Sequence, residues 1–143
     1  MLTNYMEQNA LKSDISLCKY ALLNSSIHHV IFNVPSQAAV GEWLQCLRSI
    51  YVRAHYETVL TLTDARYSVM PPLSYATHLS QLWVAEQHSR VRSKNAILHR
   101  NAPLGEVAEE IVTGLPGNEY HRIRFFAPGE RGAAVRWLIA NDL

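Results

Sequence analysis

Residues 58–75 read TVLTLTDARYSVMPPLSY, and the order of signals within them decides the fold. Thr58 to Thr63 is rich in β-branched residues and reads as a strand, with Val59 and Thr61 on one face and Leu60 and Leu62 on the other. Asp64-Ala65-Arg66 ends it. Pro71-Pro72 cannot continue a strand, whereas proline at the first position of a helix is pre-organised for it. Leu73, Ala76, Leu79, Leu82 and Trp83 then recur at helical spacing, which predicts a helix to about His88. A strand, a polar loop and a helix in succession form a β–α unit, the element from which parallel sheets are built.

The same alternation extends in both directions. Upstream, Ile15 to Leu23 and Ile27 to Val34 are two apolar runs joined by Asn24-Ser25-Ser26, the pattern of an antiparallel hairpin. Ser36 is placed to cap a helix whose inner face is Val40, Trp43, Leu44, Leu47, Ile50 and Tyr51. Downstream, the basic cluster Arg90, Arg92 and Lys94 closes the helix that starts at Pro72, where cations suit the helix dipole. Asn95 to His99 reads as a short buried strand. Pro103 opens a third helix with Leu104, Val107, Ala108, Ile111 and Val112 facing inward, and Gly114 and Gly117 bracket its end. Tyr120 to Phe126 is the last strand, and Pro128-Gly129 turns into a final helix packing Ala134, Val135, Trp137 and Leu138. Trp43, Trp83 and Trp137 sit at core spacing. The order β-β-α-β-α-β-α-β-α predicts an α/β fold: a mixed, mostly parallel sheet with an N-terminal antiparallel hairpin strand and four helices.

The chain has 143 residues, enough for one domain burying roughly 70% of its unfolded surface without a disulfide or metal. Residues 1–14 are expected as a flexible or helical segment and 15–143 as a single domain. Charged residues are only 17%, which points to an extensive interior or to surface buried against a partner, and the net charge of +1 gives no electrostatic case for nucleic acid. Cys18 and Cys46 lie in apolar segments without a C-x-x-C pair, as buried reduced thiols do; a bridge between them stays open. Residues 1–14 do not have the form of a signal peptide, and no run of about 18 apolar residues predicts a membrane span. A cytoplasmic location is expected.

In an open α/β sheet, ligands favour the edge formed by the carboxyl ends of the strands. Those ends carry Asn33 and Ser36; Asp64, Arg66, Tyr67 and Ser68; His99, Arg100 and Asn101; and Gly129 with Glu130. The Asp64–Pro71 loop is the longest and the most polar and aromatic. Each residue also has a structural role open to it. Asp64 and Arg66 can pair with each other, Ser68 can bond a loop amide, and His99 ends a buried strand. Phosphate-loop, dinucleotide and nucleophile-elbow motifs are missing. Adjacent histidines His28 and His29 point to opposite strand faces and cannot chelate one ion. A receiver-type phosphoacceptor at Asp64 lacks oxygen ligands at Asn33, Val34 and Pro35. No catalytic residue, cofactor or metal is expected from these patterns.

VLTLTDARYSVMPPLSY, followed by NAILH and then by RIRFFAPGERGAAVRWL, resembles the SpoIIAA-like STAS domain family. The resemblance covers about residues 15–140 and rests on order and spacing: a strand with D-x-R, a helix, a short strand, and a closing helix with A-x-x-W-L. It implies a four- or five-stranded mixed sheet with helices mostly on one face, and regulatory binding to a protein partner. In anti-anti-sigma members a serine at the start of the helix after the third strand is phosphorylated. Here Ser68 and Ser74 are the serines near that position, and M-P-P-L stands in place of D-S-S-G. The expected contact surface is Asp64, Arg66, Tyr67 and Ser68 with the helix from Pro72, joined by His99 and Asn101. A small-molecule or lipid carrier, and a hydrolase or transferase using Asp64, Ser68 or His99, are the alternatives. Homodimerisation by pairing of an edge strand is also expected as an option.

Overall fold

The computed structural model describes residues 17–54, 57–85 and 91–140. Among them five strands form one sheet in sequence order: β1 (Cys18–Leu23), β2 (Ile27–Phe32), β3 (Val59–Asp64), β4 (Ser93–Leu98) and β5 (His121–Phe126). β1 runs antiparallel to β2, and β2 through β5 are parallel. At the hairpin Asn24 and Ser25 take φ of 50° and 60°, and the Ser26 N–H closes on the Leu23 carbonyl at 3.0 Å. Positive φ at both central positions matches the right-handed twist of the flanking strands.

Helices α1 (Gln37–Val52), α2 (Pro72–Ala85) and α3 (Ala102–Thr113) make the three parallel crossovers. Right-handed crossovers that step in one direction leave their helices on the same face. The larger core cluster accordingly joins Val30, Phe32, Val59, Ile97 and Phe125 of the sheet to Trp43, Leu47, Tyr75, Trp83 and Val112 of the helices. The fourth described helix, α4 (Arg131–Ile139), is entered through a 3-10 turn at Pro128–Glu130. It covers the opposite face, packing Ala134 and Leu138 with Ile27, Leu62 and Leu98. The α/β fold, the antiparallel hairpin strand and the four helices are those that the alternation of apolar runs implies.

Local signals act as their chemistry predicts at several places. The Ser36 hydroxyl accepts from the Ala39 N–H at 3.2 Å and starts α1. Trp43 and Trp83 are fully buried, and each indole finds a partner: Trp43 Nε1 donates to Thr63 Oγ1, and Trp83 Nε1 to the Tyr51 hydroxyl, both at 3.0 Å. Tyr51 and Thr61 in turn donate to Asn95 Oδ1 at 3.2 and 2.8 Å. A buried polar group without such a partner costs about 1–3 kcal/mol.

Four expectations need correction. Lys94 does not end a solvated helix; it lies inside β4, fully buried, and its ammonium donates to the carbonyls of Trp137 and Ala140 at 2.7 and 3.0 Å. The cation does meet a helix C-terminus, but that of α4. Arg92 is exposed, and Arg90 lies outside the described residues. On α3 the inward residues are Gly105, Ala108 and Val112, while Leu104, Val107 and Ile111 are exposed. The small face wins because α3 lies against the Phe125 ring, which occupies the space a Cβ at Gly105 would need. Leu73 likewise faces solvent, and Trp137 is only half-buried. β1 begins at Cys18; Ile15, residues 1–14 and the expected end of the second helix near His88 lie outside the described residues.

Gly105→Ala is expected to destabilise the fold. Helix propensity alone favours alanine by about 1 kcal/mol, but the methyl would overlap the Cβ and ring of Phe125, and overpacking of this kind costs roughly 1–3 kcal/mol. A urea midpoint lower than wild type at unchanged slope is the expected result.

His29 gives a second expectation. It is buried on the α4 face, and its Nε2 has no hydrogen-bond partner among the described residues. Burial lowers its pKa from the ordinary 6.5; Arg131 adds to the shift and Asp64 opposes it. Burial lowers His28 in the same direction. Above pH 6.5 both rings are neutral whether the chain is folded or not. Below it the unfolded chain takes up protons that the folded state resists, so stability falls with pH until the lowered folded values are passed. His29→Leu should therefore shrink the loss of denaturation midpoint between about pH 7.5 and about pH 5. An unchanged loss would show that His29 carries none of it.

Candidate functional site

Parallel pairing of β2 through β5 sets the four loops that follow them along one edge of the sheet. The loop from Ala65 to Pro71 between β3 and α2 lies at the middle of this rim, and its backbone is bonded on all sides. Asp64 takes the Arg66 guanidinium through Nε at 3.0 Å to Oδ1 and 3.2 Å to Oδ2, and also accepts the Arg66 backbone N–H at 3.2 Å. The carboxylate pushes the Arg66 pKa further up. The Ala65 N–H donates to the Leu98 carbonyl at 2.9 Å, and the Ser68 N–H to the Ala65 carbonyl at 3.0 Å.

Ser68 is 3% exposed, and its hydroxyl accepts the Met70 N–H at 3.1 Å. This is the loop-amide role open to it in the sequence. His99 is also buried. Its Nε2 donates to the Met70 carbonyl at 2.8 Å while Nδ1 accepts the Asn101 N–H at 2.9 Å, so the two backbone partners place the proton on Nε2. The Arg100 guanidinium donates to the Ser68 carbonyl at 3.3 Å. Asn101 is exposed and precedes α3 without a side-chain capping bond. Tyr75, in α2 beneath the loop, stacks edge-on to His99; burial pushes its hydroxyl up to about 12, with neighbouring Ser68 acting in the opposite direction.

Ser68, His99 and Arg100 are thus joined through Met70 and the Ser68 carbonyl in one bonded set, to which Asn101 adds its backbone N–H, while Asp64 and Arg66 form a separate pair beside it. Tyr67 belongs to the same loop but points outward. Tyr67 and Val69 are each 61% exposed, and Leu73 in the first turn of α2 extends the apolar surface they start. Sequence reasoning missed Val69 and the exposure of Leu73. Residue type gave no signal for the exposure of Val69, since along Tyr67, Ser68, Val69 and Met70 the polar Ser68 is buried while the apolar Val69 is exposed. Ser74 is half-buried, and its backbone N–H donates to the Pro71 carbonyl. Glu130, on the loop after β5, accepts the Ala127 N–H at 2.7 Å.

Chemically, this rim holds Ser68 and His99 in internal bonds, while the buried Tyr75 hydroxyl beneath them has no hydrogen-bond partner among the described residues. The Ser68 hydroxyl and both His99 nitrogens are engaged with backbone, and His99 turns to Met70 rather than to Ser68. General-base catalysis needs a nitrogen or carboxylate within reach of a reacting proton, and these groups are aimed inward. Cys18 and Cys46 are free thiols; burial pushes both up to about 12, which keeps them protonated. Away from the rim, an open groove of about 1060 Å³ follows β5 between α3 and α4, lined by Glu106, Glu109, Glu110, Arg122 and Arg124 among others. Glu109 accepts the Phe125 N–H there at 2.7 Å.

Among the described residues, no helix is long and apolar enough to cross a membrane, and no group of three or more His, Cys, Asp or Glu side chains is placed to hold a metal ion. Comparison with family models, with curated proteins and with solved structures finds no match to this chain.

Proposed function

We propose that this chain is a regulatory protein-binding module of the STAS, SpoIIAA-like kind, and that it meets its partner through the loop between β3 and α2. The exposure of Tyr67 and Val69 on a loop whose polar groups bond inward carries this reading. A loop already ordered before binding loses little conformational freedom when it docks. Tyrosine and arginine are the side chains most often found at the energetic centre of protein interfaces. Tyr67 offers a large, rigid surface with a polar tip. Arg66 lies beside it, held by Asp64 yet still partly open to solvent. The arrangement suits recognition of a complementary protein surface better than turnover of a small substrate.

Affinity capture from native lysate, read by mass spectrometry, tests the proposal. Wild type is expected to retain a protein partner. Tyr67→Ala should reduce its recovery about tenfold, the effect of losing one central aromatic, and Asp64→Ala/Arg66→Ala should do the same by releasing the loop. Equal recovery by wild type and all variants would move the contact surface elsewhere, and no partner in any sample would overturn the reading.

A further inference from the structure

We infer that the open edge of β5 is a strand-addition site, which takes an extended peptide segment of a partner protein with basic side chains at alternate positions. The strand order leaves β5 without a neighbour on its outer side. The Ser93 and His99 N–H groups donate to the Tyr120 and Phe126 carbonyls at 3.0 and 2.9 Å. In a parallel ladder that phase points the even-numbered residues of β5 at β4. It turns the N–H and C=O of His121, Ile123 and Phe125 away from the sheet. Two of these outward donors are used within the chain. The His121 N–H donates to the Asn118 carbonyl at 3.0 Å, and the Phe125 N–H to Glu109 Oε1 at 2.7 Å. Ile123 lies between them and lines the groove of about 1060 Å³ that follows β5 between α3 and α4. A strand edge of this kind is a template for another extended backbone, whose N–H and C=O repeat at the same spacing.

The walls of the groove decide what that strand carries. Successive side chains of an added strand point alternately to the two sides of the sheet. On the α3 side they meet Glu106 and Glu110, both exposed, with Glu109 at the edge itself. Burial raises the Glu109 pKa, and Glu106 and Glu110 add to the rise against the Phe125 N–H and Arg124. Basic side chains relieve this crowding of carboxylates. On the α4 side the added strand meets Arg122 and Arg124, exposed on β5, with Arg124 over the Phe126 ring at 5.4 Å. Opposite charges directly across a strand pair attract and like charges repel, so acidic residues belong on that side. The matching segment therefore alternates, with Lys or Arg toward α3 and Glu or Asp toward α4.

Other occupants fit less well. A second copy of β5, laid antiparallel about Ile123, sets Arg122 directly opposite Arg124 and turns the two α3 carboxylate walls toward each other. A wholly apolar strand takes water from the same carboxylates and guanidinium groups without pairing them, which is costly. β5 has six residues and runs about 20 Å, so a segment of similar length covers it.

The probe is a fluorescently labelled, end-blocked peptide, KTKEKTKE, titrated against the full chain and read by anisotropy. Its lysines share one face and its glutamates lie on the other. Binding is expected with a dissociation constant on the order of 100 μM. The same composition in blocks, KKKKTTEE, should bind at least about tenfold more weakly. Only every second amide of an added strand faces its neighbour. N-methylation of all the lysines, or of all the other residues, should therefore abolish binding in one case and spare it in the other. Ile123→Pro removes an outward N–H while leaving the ladder to β4, as edge strands allow, and should lose the peptide. Glu106→Lys/Glu110→Lys, on exposed residues, keeps the test open if the proline variant does not fold by circular dichroism. It should prefer the peptide with glutamate in place of every lysine by at least about tenfold. No binding of KTKEKTKE at about 1 mM protein, equal binding of the block peptide, or equal effects of the two N-methylated sets overturns the inference. So does binding that survives Ile123→Pro, or a preference unchanged by Glu106→Lys/Glu110→Lys.

Discussion

The carboxyl-end rim depends on one buried imidazole. His99 bonds the Met70 carbonyl through Nε2 and the Asn101 N–H through Nδ1, while its own backbone N–H donates to the Phe126 carbonyl. One residue therefore ties together the loop after β3, the start of α3 and the end of β5. Its ring is packed edge-on against Tyr75 and Phe125, so both orientation and tautomer are held from several sides. With Met70 fixed, Pro71-Pro72 follows and α2 can start only where it does. With Asn101 fixed, α3 starts close enough to β5 for Gly105 to meet Phe125.

That constraint sorts the loop into two sides. Ser68 and Met70 turn inward, and Tyr67 and Val69 turn outward. A catalytic site has the reverse arrangement, with an unsatisfied nucleophile or base aimed at a cleft and supported from behind. In this chain Ser68 and His99 spend their hydrogen-bonding capacity on Met70 and Asn101, and the Asp64 carboxylate is filled by Arg66. Even Lys94, the one fully buried cation among the described residues, is taken up by the end of α4. Ser68, His99 and Lys94 thus each hold backbone groups of the scaffold.

Much of this fold is legible in the sequence because period and punctuation agree. TVLTLT followed by Pro71-Pro72 admits little other than a strand and then a helix, and Ser36 sits where a cap is needed. The inner face of α1 is legible for the same reason: Val40, Trp43, Leu47, Ile50 and Tyr51 are all buried. α3 is harder. Leu104, Val107, Ala108, Ile111 and Val112 cover more of the helix than one core can hold, and periodicity cannot say which part is inside. Contact with Phe125 decides in favour of the small residues, and that ring belongs to a strand twenty residues away in the chain. Lys94 misleads for a related reason. Its charge suggests solvent, but its aliphatic stem lets it span the sheet face and deliver the ammonium to carbonyls more than forty residues on. At the rim, the Asp64–Arg66 pair and the roles of Ser68 and His99 follow from local chemistry, whereas the tie between Met70 and His99 depends on the pairing of β3 with β4.

The low charge content can now be located. Twenty-five of 143 residues carry charge, and the deficit is not spread evenly. From Tyr67 to Val84 there is no Asp, Glu, Lys or Arg, and the pair that precedes this stretch, Asp64 with Arg66, neutralises itself. Burial accounts for part of this, since Met70, Tyr75, Leu79 and Trp83 are core residues. It does not account for Tyr67, Val69, Leu73 and Val84, which are about half-exposed or more. Scattered exposed apolar residues are ordinary, but these four fall within one uncharged stretch of the chain. The rim loop leads directly into α2 at Pro71-Pro72, so the exposed Tyr67, Val69 and Leu73 are carried by the same segment that the Met70–His99 bond holds in place.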